Sequence, residues 1–150
     1  MSRTLASQSR IGRATPVKQM RSAARKGDAL AQFRLASRHK DGRGVRFSPR
    51  IAVRWYRRSA DQGNAWAQSF LGMFYAAGHG VQKNLREARK LYRLAAEGGD
   101  SSAAFNLAGL YEKGLGGKRN YAQARKWFQF ALEHGDTFAK KALARLPSSG

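Results

Sequence analysis

The sequence predicts an all-α fold, specifically an α/α solenoid, and two observations support this prediction. Four glycines, Gly27, Gly63, Gly99 and Gly135, stand 36 residues apart, and columns of alanine and leucine repeat with the same period. A fixed period between about 20 and 50 residues is typical of solenoids and related arrays. Each unit also contains two stretches with the apolar spacing of amphipathic helices, separated by glycines. The chain is therefore predicted to be an array of helix pairs.

The central repeat, residues 64–99, illustrates the unit. Asn64 precedes a segment, 65–77, whose small and apolar residues recur at the i, i+3, i+4, i+7 spacing of a helix. The run Gly78-His79-Gly80 predicts its end, because glycine adopts the positive φ that a tight exit requires. Asn84 is a predicted N-cap for a second helix over 85–97, which Gly98-Gly99 ends. One such pair buries little apolar area, so neighbouring pairs must stack.

The remaining elements follow from the same register. Before the first pair, Thr15-Pro16 predicts a cap followed by a first helical residue, and so a lone sealing helix over 16–26. After the last pair, 136–146 is predicted to be a lone first helix that seals the other end. The prediction is seven to eight helices and no strands, in one domain spanning 16–146. The predicted pairs are 28–40 with 49–62, 65–77 with 85–97, and 100–113 with 121–134.

Composition excludes several function classes. There are no cysteines, so disulfides, zinc thiolate sites and cysteine nucleophiles are excluded. No stretch approaches the roughly 20 apolar residues of a spanning helix. Lys and Arg number 29 against 9 acids, a net charge of +20, and residues 1–60 carry 16 of these bases and 2 of the acids. This excess predicts affinity for an anionic partner but does not bear on the fold.

Both ends of the chain are predicted to be disordered tails, 1–15 and 147–150. The first is basic, contains serine and lacks acids, a composition that also fits an organellar transit peptide. It has no apolar run that could serve as a secretory signal. We therefore expect a cytoplasmic protein, with organellar targeting as the open alternative.

The motif Ala-Gln-x-x-Leu-Gly-x-x-Tyr-x-x-Gly-x-Gly-Val, at Ala67 to Val81, resembles the Sel-one-like repeat (SLR) family, a relative of the tetratricopeptide repeats. The resemblance covers about 16–146. It departs from the pattern at Arg38, His39 and Gly117. The resemblance implies a right-handed superhelix of about three 36-residue repeats with sealing half-repeats, acting as a non-catalytic interaction module.

In such superhelices the first helices line a concave groove in which a partner peptide or helix lies. We expect the partner to be an acidic protein segment, and the chain itself to be a monomer. Aromatic, Met and Arg residues in the groove match the composition of binding hot spots. Phe33, Phe70 and Phe105 are equally well interpreted as packing between repeats. The predicted groove residues are Leu30, Phe33, Arg34, Arg38, Trp66, Phe70, Met73, Phe105 and Asn106.

Cations on the second helices suggest an alternative function. They fall in two columns and would form two basic rails, suited to nucleic acid or another polyanion such as an anionic envelope. The simpler interpretation is that they form the solvated face that these helices need. The rails are Lys18, Arg54, Lys90 and Lys126 in one column, and Arg21, Arg57 and Arg93 in the other.

No catalytic, metal or cofactor site is predicted. His39, His79 and His134 occupy three different register positions, whereas a catalytic cluster needs groups within hydrogen-bond reach. We interpret them as a core substitute, a loop residue and an end-of-helix residue, respectively. The Gly-x-Gly loops follow helices, unlike phosphate-binding loops, and are predicted to be turns.

Overall fold

The structure is a computed structural model that describes residues 15–148. Over this range it contains eight helices and no strand, which confirms the predicted fold class. Consecutive helices pack against each other, and the strongest packing lies within each helix pair. The helices are α1 (Val17–Arg25), α2 (Ala29–Asp41), α3 (Pro49–Asp61), α4 (Ala65–Ala77), α5 (Leu85–Glu97), α6 (Ser101–Lys113), α7 (Tyr121–Glu133) and α8 (Phe138–Arg145). The predicted tails lie outside the described range except for Thr15, Pro147 and Ser148.

Side-chain caps begin the paired helices. The Asn64 side chain accepts a hydrogen bond from the backbone N–H of Ala67, and that of Asn84 accepts one from Glu87, at 2.9 and 3.0 Å. These bonds satisfy donors that have no partner inside the helix. Gly78 ends α4 in the left-handed region, with φ of 66°. The bounds of α4 and α5 therefore coincide with the predicted ones.

The two sealing helices are shorter than predicted. Pro16 has φ −57° and ψ 142°, so it precedes α1 as an extended residue and is not its first helical residue. Pro16 is the N-cap residue: its carbonyl accepts the first helical hydrogen bond, from the N–H of Met20, and no side-chain cap bond forms at this end. At the other end, the Asp136 side chain accepts a hydrogen bond from the N–H of Phe138. Residue 136 therefore precedes α8, which starts at Phe138.

The core follows the repeat columns. Tyr56 and Phe128 are fully buried and Tyr92 nearly so, each packed between alanine-rich helix faces. The helices come close because the residues at their facing positions are small. A Cβ at Gly72 would lie 2.8 Å from the Tyr92 ring, so only glycine fits there without a shift.

Polar side chains join one repeat to the next. The amide of Gln68 donates to the Ala60 carbonyl at the end of α3, and Gln32 donates in the same way to Ala24, at 3.2 and 3.0 Å. Both carbonyls belong to helix ends, which lack intrahelical donors. His39 is buried, and its Nδ1 lies 2.9 Å from the Arg46 carbonyl oxygen, so it packs as a core substitute.

Candidate functional site

Exposed apolar side chains run along one face of the first helices, α2 and α4. Trp66 is 57% exposed, Met73 46% and Leu30 38%. Scattered single apolar residues are ordinary on a surface, but a contiguous group indicates a contact site. We call the predicted groove residues, from Leu30 through Asn106, the groove face.

Phe33 and Phe70 support this exposed group from below. The Phe33 ring centroid lies 5.8 Å from those of Trp66 and Phe70, and Phe70 stacks on buried Tyr56 at 5.5 Å with the planes 4° apart. Both phenylalanines are half-buried. They therefore pack between repeats and still present an edge to the surface, so the two interpretations of these residues are compatible.

The far end of the groove face has a different character. Phe105 packs edge-on against Phe128, with 5.3 Å between ring centroids. Asn106 stands where Phe70 stands one repeat earlier. It lines a cavity of about 240 Å³ together with Tyr92 and Phe105. No side chain fills the place of Met73 here, because the equivalent residue is Gly109, which has open space around it.

Polar groups surround this cavity. Burial raises the pKa of Tyr92 to about 12, and in the described part of the chain its hydroxyl has no hydrogen-bond partner. Glu112 pairs with Arg145 through two bonds of 2.9 and 2.8 Å. The hydrogen bond from Arg145 holds the pKa of Glu112 below its ordinary value. The cavity is therefore partly apolar and partly hydrogen-bonding.

Cations flank the apolar group at its other end. Arg34 is exposed and Arg38 is half-buried. Lys40 Nζ lies 5.6 Å from the Phe70 ring centroid and 2.6 Å from a carboxylate oxygen of Asp41. That hydrogen bond from Lys40 holds the pKa of Asp41 below its ordinary value. The Asp41 carboxylate is thus already paired with a cation of the same chain.

Phe138 is an exposed aromatic residue in a column of the groove face, and it was not among the predicted groove residues. It lies 72 residues after Trp66, in the column of Leu30, Trp66 and Ser102, and is 76% exposed. The repeat register was the signal that could have found it, since α8 is the first helix of an incomplete pair. Its column carries an apolar side chain at every position except Ser102.

The cations of the two predicted basic rails differ in exposure and in whether other side chains bind them. Lys18, Arg54, Lys90 and Lys126 are all exposed, as is Arg21. Arg57 is held: it donates to the Tyr75 hydroxyl at 2.9 Å and to Glu87 at 3.1 Å. Burial lowers its pKa, but the bonds to Tyr75 and Glu87 outweigh this and raise it overall. Arg93 donates to the Tyr111 hydroxyl. The second rail is therefore partly an inter-repeat contact.

The three histidines do not form a common site. His39 is in the core, exposed His79 stacks on Phe74 with centroids 5.5 Å apart, and His134 Nδ1 lies 2.8 Å from the Phe130 carbonyl oxygen at the end of α7. Between residues 15 and 148 no group of His, Asp and Glu is arranged to hold a metal ion. No helix in that range is long and apolar enough to cross a membrane.

The fold and the periodic contacts define the class: a solenoid of helix-pair repeats that carries an exposed groove face. The family model of the Sel1 repeat matches residues 29–64, 67–100 and 101–136. The chain belongs to the Sel1 repeat family. A search of curated proteins found no match.

Solved structures agree with this assignment. The chain is similar to a Sel1 repeat protein from Oxalobacter formigenes (37% identity, TM-score 0.76), with 79% of this chain and 49% of that chain covered. It is also similar to c5321, a protective antigen of uropathogenic Escherichia coli with an SLR fold (36% identity, TM-score 0.81), with 83% and 27% covered. The Helicobacter pylori cysteine rich protein B shares the fold at 22% identity and a TM-score of 0.67, with 87% and 98% covered. The chain thus spans half or less of the first two relatives.

Proposed function

We propose that the chain is a non-catalytic protein-interaction module that binds an acidic peptide or helix on its groove face. The observation that carries the proposal is the exposed Trp66, flanked by Leu30 and Met73 and supported by Phe33 and Phe70. Sel1 repeats are generally interaction scaffolds. A tryptophan that stands on a pre-packed aromatic base loses little entropy on binding, which is a property of hot spots.

An acidic partner follows from the distribution of charge. Arg34 and Arg38 flank the apolar group, while Asp41 and Glu112 are already paired with Lys40 and Arg145. A carboxylate brought by a partner would therefore meet cations with little competition. The net charge of +20 adds long-range attraction, which raises the association rate more than the affinity.

The test is selection of peptides from a displayed library of acidic amphipathic helices, followed by affinity measurements on a double variant. Trp66→Ala with Met73→Ala should weaken the selected peptides by about 30-fold or more, since hot-spot truncation costs roughly 2 kcal/mol. Phe47→Ala is the matched control, because Phe47 is exposed but lies in the loop before α3. Equal affinity of the wild type and the double variant would overturn the proposal.

A further inference from the structure

A pocket of about 250 Å³ on the second-helix side has four cationic residues among the six that line it. Arg86, Arg89, Lys90 and Arg93 contribute to it, with Leu94 and Gly116 completing the lining. The four cations stand at i, i+3, i+4 and i+7 on α5, so they share one helix face. Within the described residues this lining includes no carboxylate. We call it the α5 pocket.

Two guanidinium groups of this pocket lie near one phenol ring, that of the buried Tyr111. The Cζ atoms of Arg89 and Arg93 lie 4.3 and 5.8 Å from the Tyr111 ring centroid. Burial lowers the pKa of Arg89, and the charge of Arg93 lowers it further against the opposing effect of Tyr111. Like charges held this close favour an anion between or beside them.

Backbone carbonyls, and no acid, hold Arg89 in place. Its guanidinium donates to the carbonyls of Leu110, Leu115 and Lys118 at 3.1 to 3.2 Å, around the end of α6. These bonds orient the group, use most of its N–H donors and set it at the negative end of the α6 dipole, which offsets part of its charge; among the described residues no carboxylate pairs with it. A Cβ at Gly117 would lie 2.5 Å from Arg89 Nη1, so glycine at this position makes room for the arginine.

The preceding repeat has cations at the positions of Arg86, Lys90 and Arg93, but it lacks both the Arg89 and the Gly117 of this arrangement. Val53 replaces Arg89, and Val81 replaces Gly117, so the same gap is filled by apolar packing. Arg57, the equivalent of Arg93, is neutralised by Glu87 at 3.1 Å and Asp61 at 3.9 Å. These differences concentrate the positive field in one place on a periodic surface.

The two carboxylates that pair with Arg57 have different counterparts one repeat later, around Arg93. Gln123 occupies the position of Glu87 and is neutral, while Glu97 is the counterpart of Asp61. Glu97 is exposed and makes no ion pair with Arg93 in the part of the chain that the structure describes. Arg93 therefore carries a charge that no carboxylate of the described residues pairs with, whereas the charge of Arg57 is paired.

We infer that the α5 pocket binds a compact phosphate group with more than one negative charge, a site separate from the groove face. Arg86, Lys90 and Arg93 are exposed and supply the hydrogen-bond donors to the ligand, while Arg89, whose N–H groups mostly bind carbonyls, contributes its charge. Arginine forks match phosphate oxygens in geometry. Leu94, 42% exposed, supplies an apolar contact for whatever carries the phosphate. The phosphate comes from a soluble phosphate chain or from a lipid headgroup.

The test compares two double variants that remove the same charge. Arg86→Gln with Lys90→Gln changes the α5 pocket, and Arg50→Gln with Arg54→Gln changes the same register positions one repeat earlier. All four side chains are exposed, so both variants should fold, which unchanged melting temperatures would verify. The probes are inorganic triphosphate, by calorimetry, and phosphatidylcholine vesicles containing phosphatidic acid, by co-sedimentation.

The two double variants should lose different amounts of binding affinity. The pocket variant should bind about 100-fold more weakly, since each charge-assisted hydrogen bond is worth roughly a factor of ten, and the control variant should lose about threefold or less. Asymmetric loss with triphosphate identifies a soluble phosphate ligand, and the same asymmetry with vesicles alone identifies a headgroup. Equal loss in the two variants, or no binding of either probe by the wild type, would overturn the inference.

Discussion

Replacing Gly116 with alanine should destabilise the contact between the second and third repeats. Gly116 has φ of +73°, and a Cβ there would lie 2.3 Å from the carbonyl oxygen of Leu85 at the start of α5. The obstacle is backbone, so no side-chain rotation relieves it. Either the loop that follows α6 or the first turn of α5 must move.

The expected loss in the free energy of unfolding of Gly116→Ala has two parts. A left-handed conformation costs an alanine about 1–2 kcal/mol. Overpacking at a contact that cannot relax costs about 1–3 kcal/mol more. Gly99→Ala is the matched control, because Gly99 has φ of +98° but no neighbouring atom within 4 Å of the place that a Cβ would take, so only the first part applies. The difference between the variants should therefore be about 1–3 kcal/mol.

Urea denaturation followed by far-UV circular dichroism measures both free energies of unfolding. For a chain of this length each kcal/mol should also lower the melting temperature by about 2–4 °C. The slope of free energy against urea should stay constant, since the variants expose the same surface on unfolding. Equal destabilisation by Gly116→Ala and Gly99→Ala would refute the packing argument, because backbone conformation alone would then explain both.

Four further substitutions test the core, the polar contacts and the end of the groove face. Leu71→Ala, at a fully buried position, should cost about 2–5 kcal/mol in urea denaturation. Tyr56→Phe removes a 3.0 Å side-chain hydrogen bond and should cost about 0.5–1.5 kcal/mol, whereas Tyr92→Phe should be close to neutral in the same assay. Glu112→Gln should cost about 0.2–1 kcal/mol near neutral pH, because the bond from Arg145 is lost. The pKa of Glu112 lies below its ordinary 4.5 in the folded state, so the advantage of the wild type over this variant should be complete above that pH. This stability advantage should vanish as the pH falls through the lowered pKa of Glu112. Melting temperatures of the two proteins across pH measure it, and a difference that stays constant with pH would contradict the reasoning.

The helices could be predicted from the sequence because each boundary carries a local signal. Asn64 and Asn84 cap α4 and α5, and Gly78 ends α4, at the residues that the sequence indicates. These signals act over three or four residues and do not depend on the rest of the fold. The prediction was wrong at Pro16, where the first-helical-residue preference of proline gave way to an extended conformation.

The state of individual surface cations could not be predicted in the same way. Arg57 and Arg93 were assigned to a rail, yet each donates to a tyrosine 18 residues further along the chain. A helix-face argument places them correctly on the second helices but cannot show that a long side chain reaches the next repeat. Phe70 raises a similar difficulty, since it lies half in the core and half at the surface.

Departures from the repeat register are more informative about function than the repeat itself. The columns that agree, such as Ala67 with Ala103, are buried and explain why the units stack. The paired change from Val53 and Val81 to Arg89 and Gly117 replaces apolar packing with a cation that donates to the carbonyls around the end of α6. Those bonds account for Arg89 itself, but like charges at i and i+4 on one helix, as at Arg86 with Lys90 and Arg89 with Arg93, are destabilising unless an anion lies between them. Anion binding therefore accounts for the cluster of four cations better than packing does.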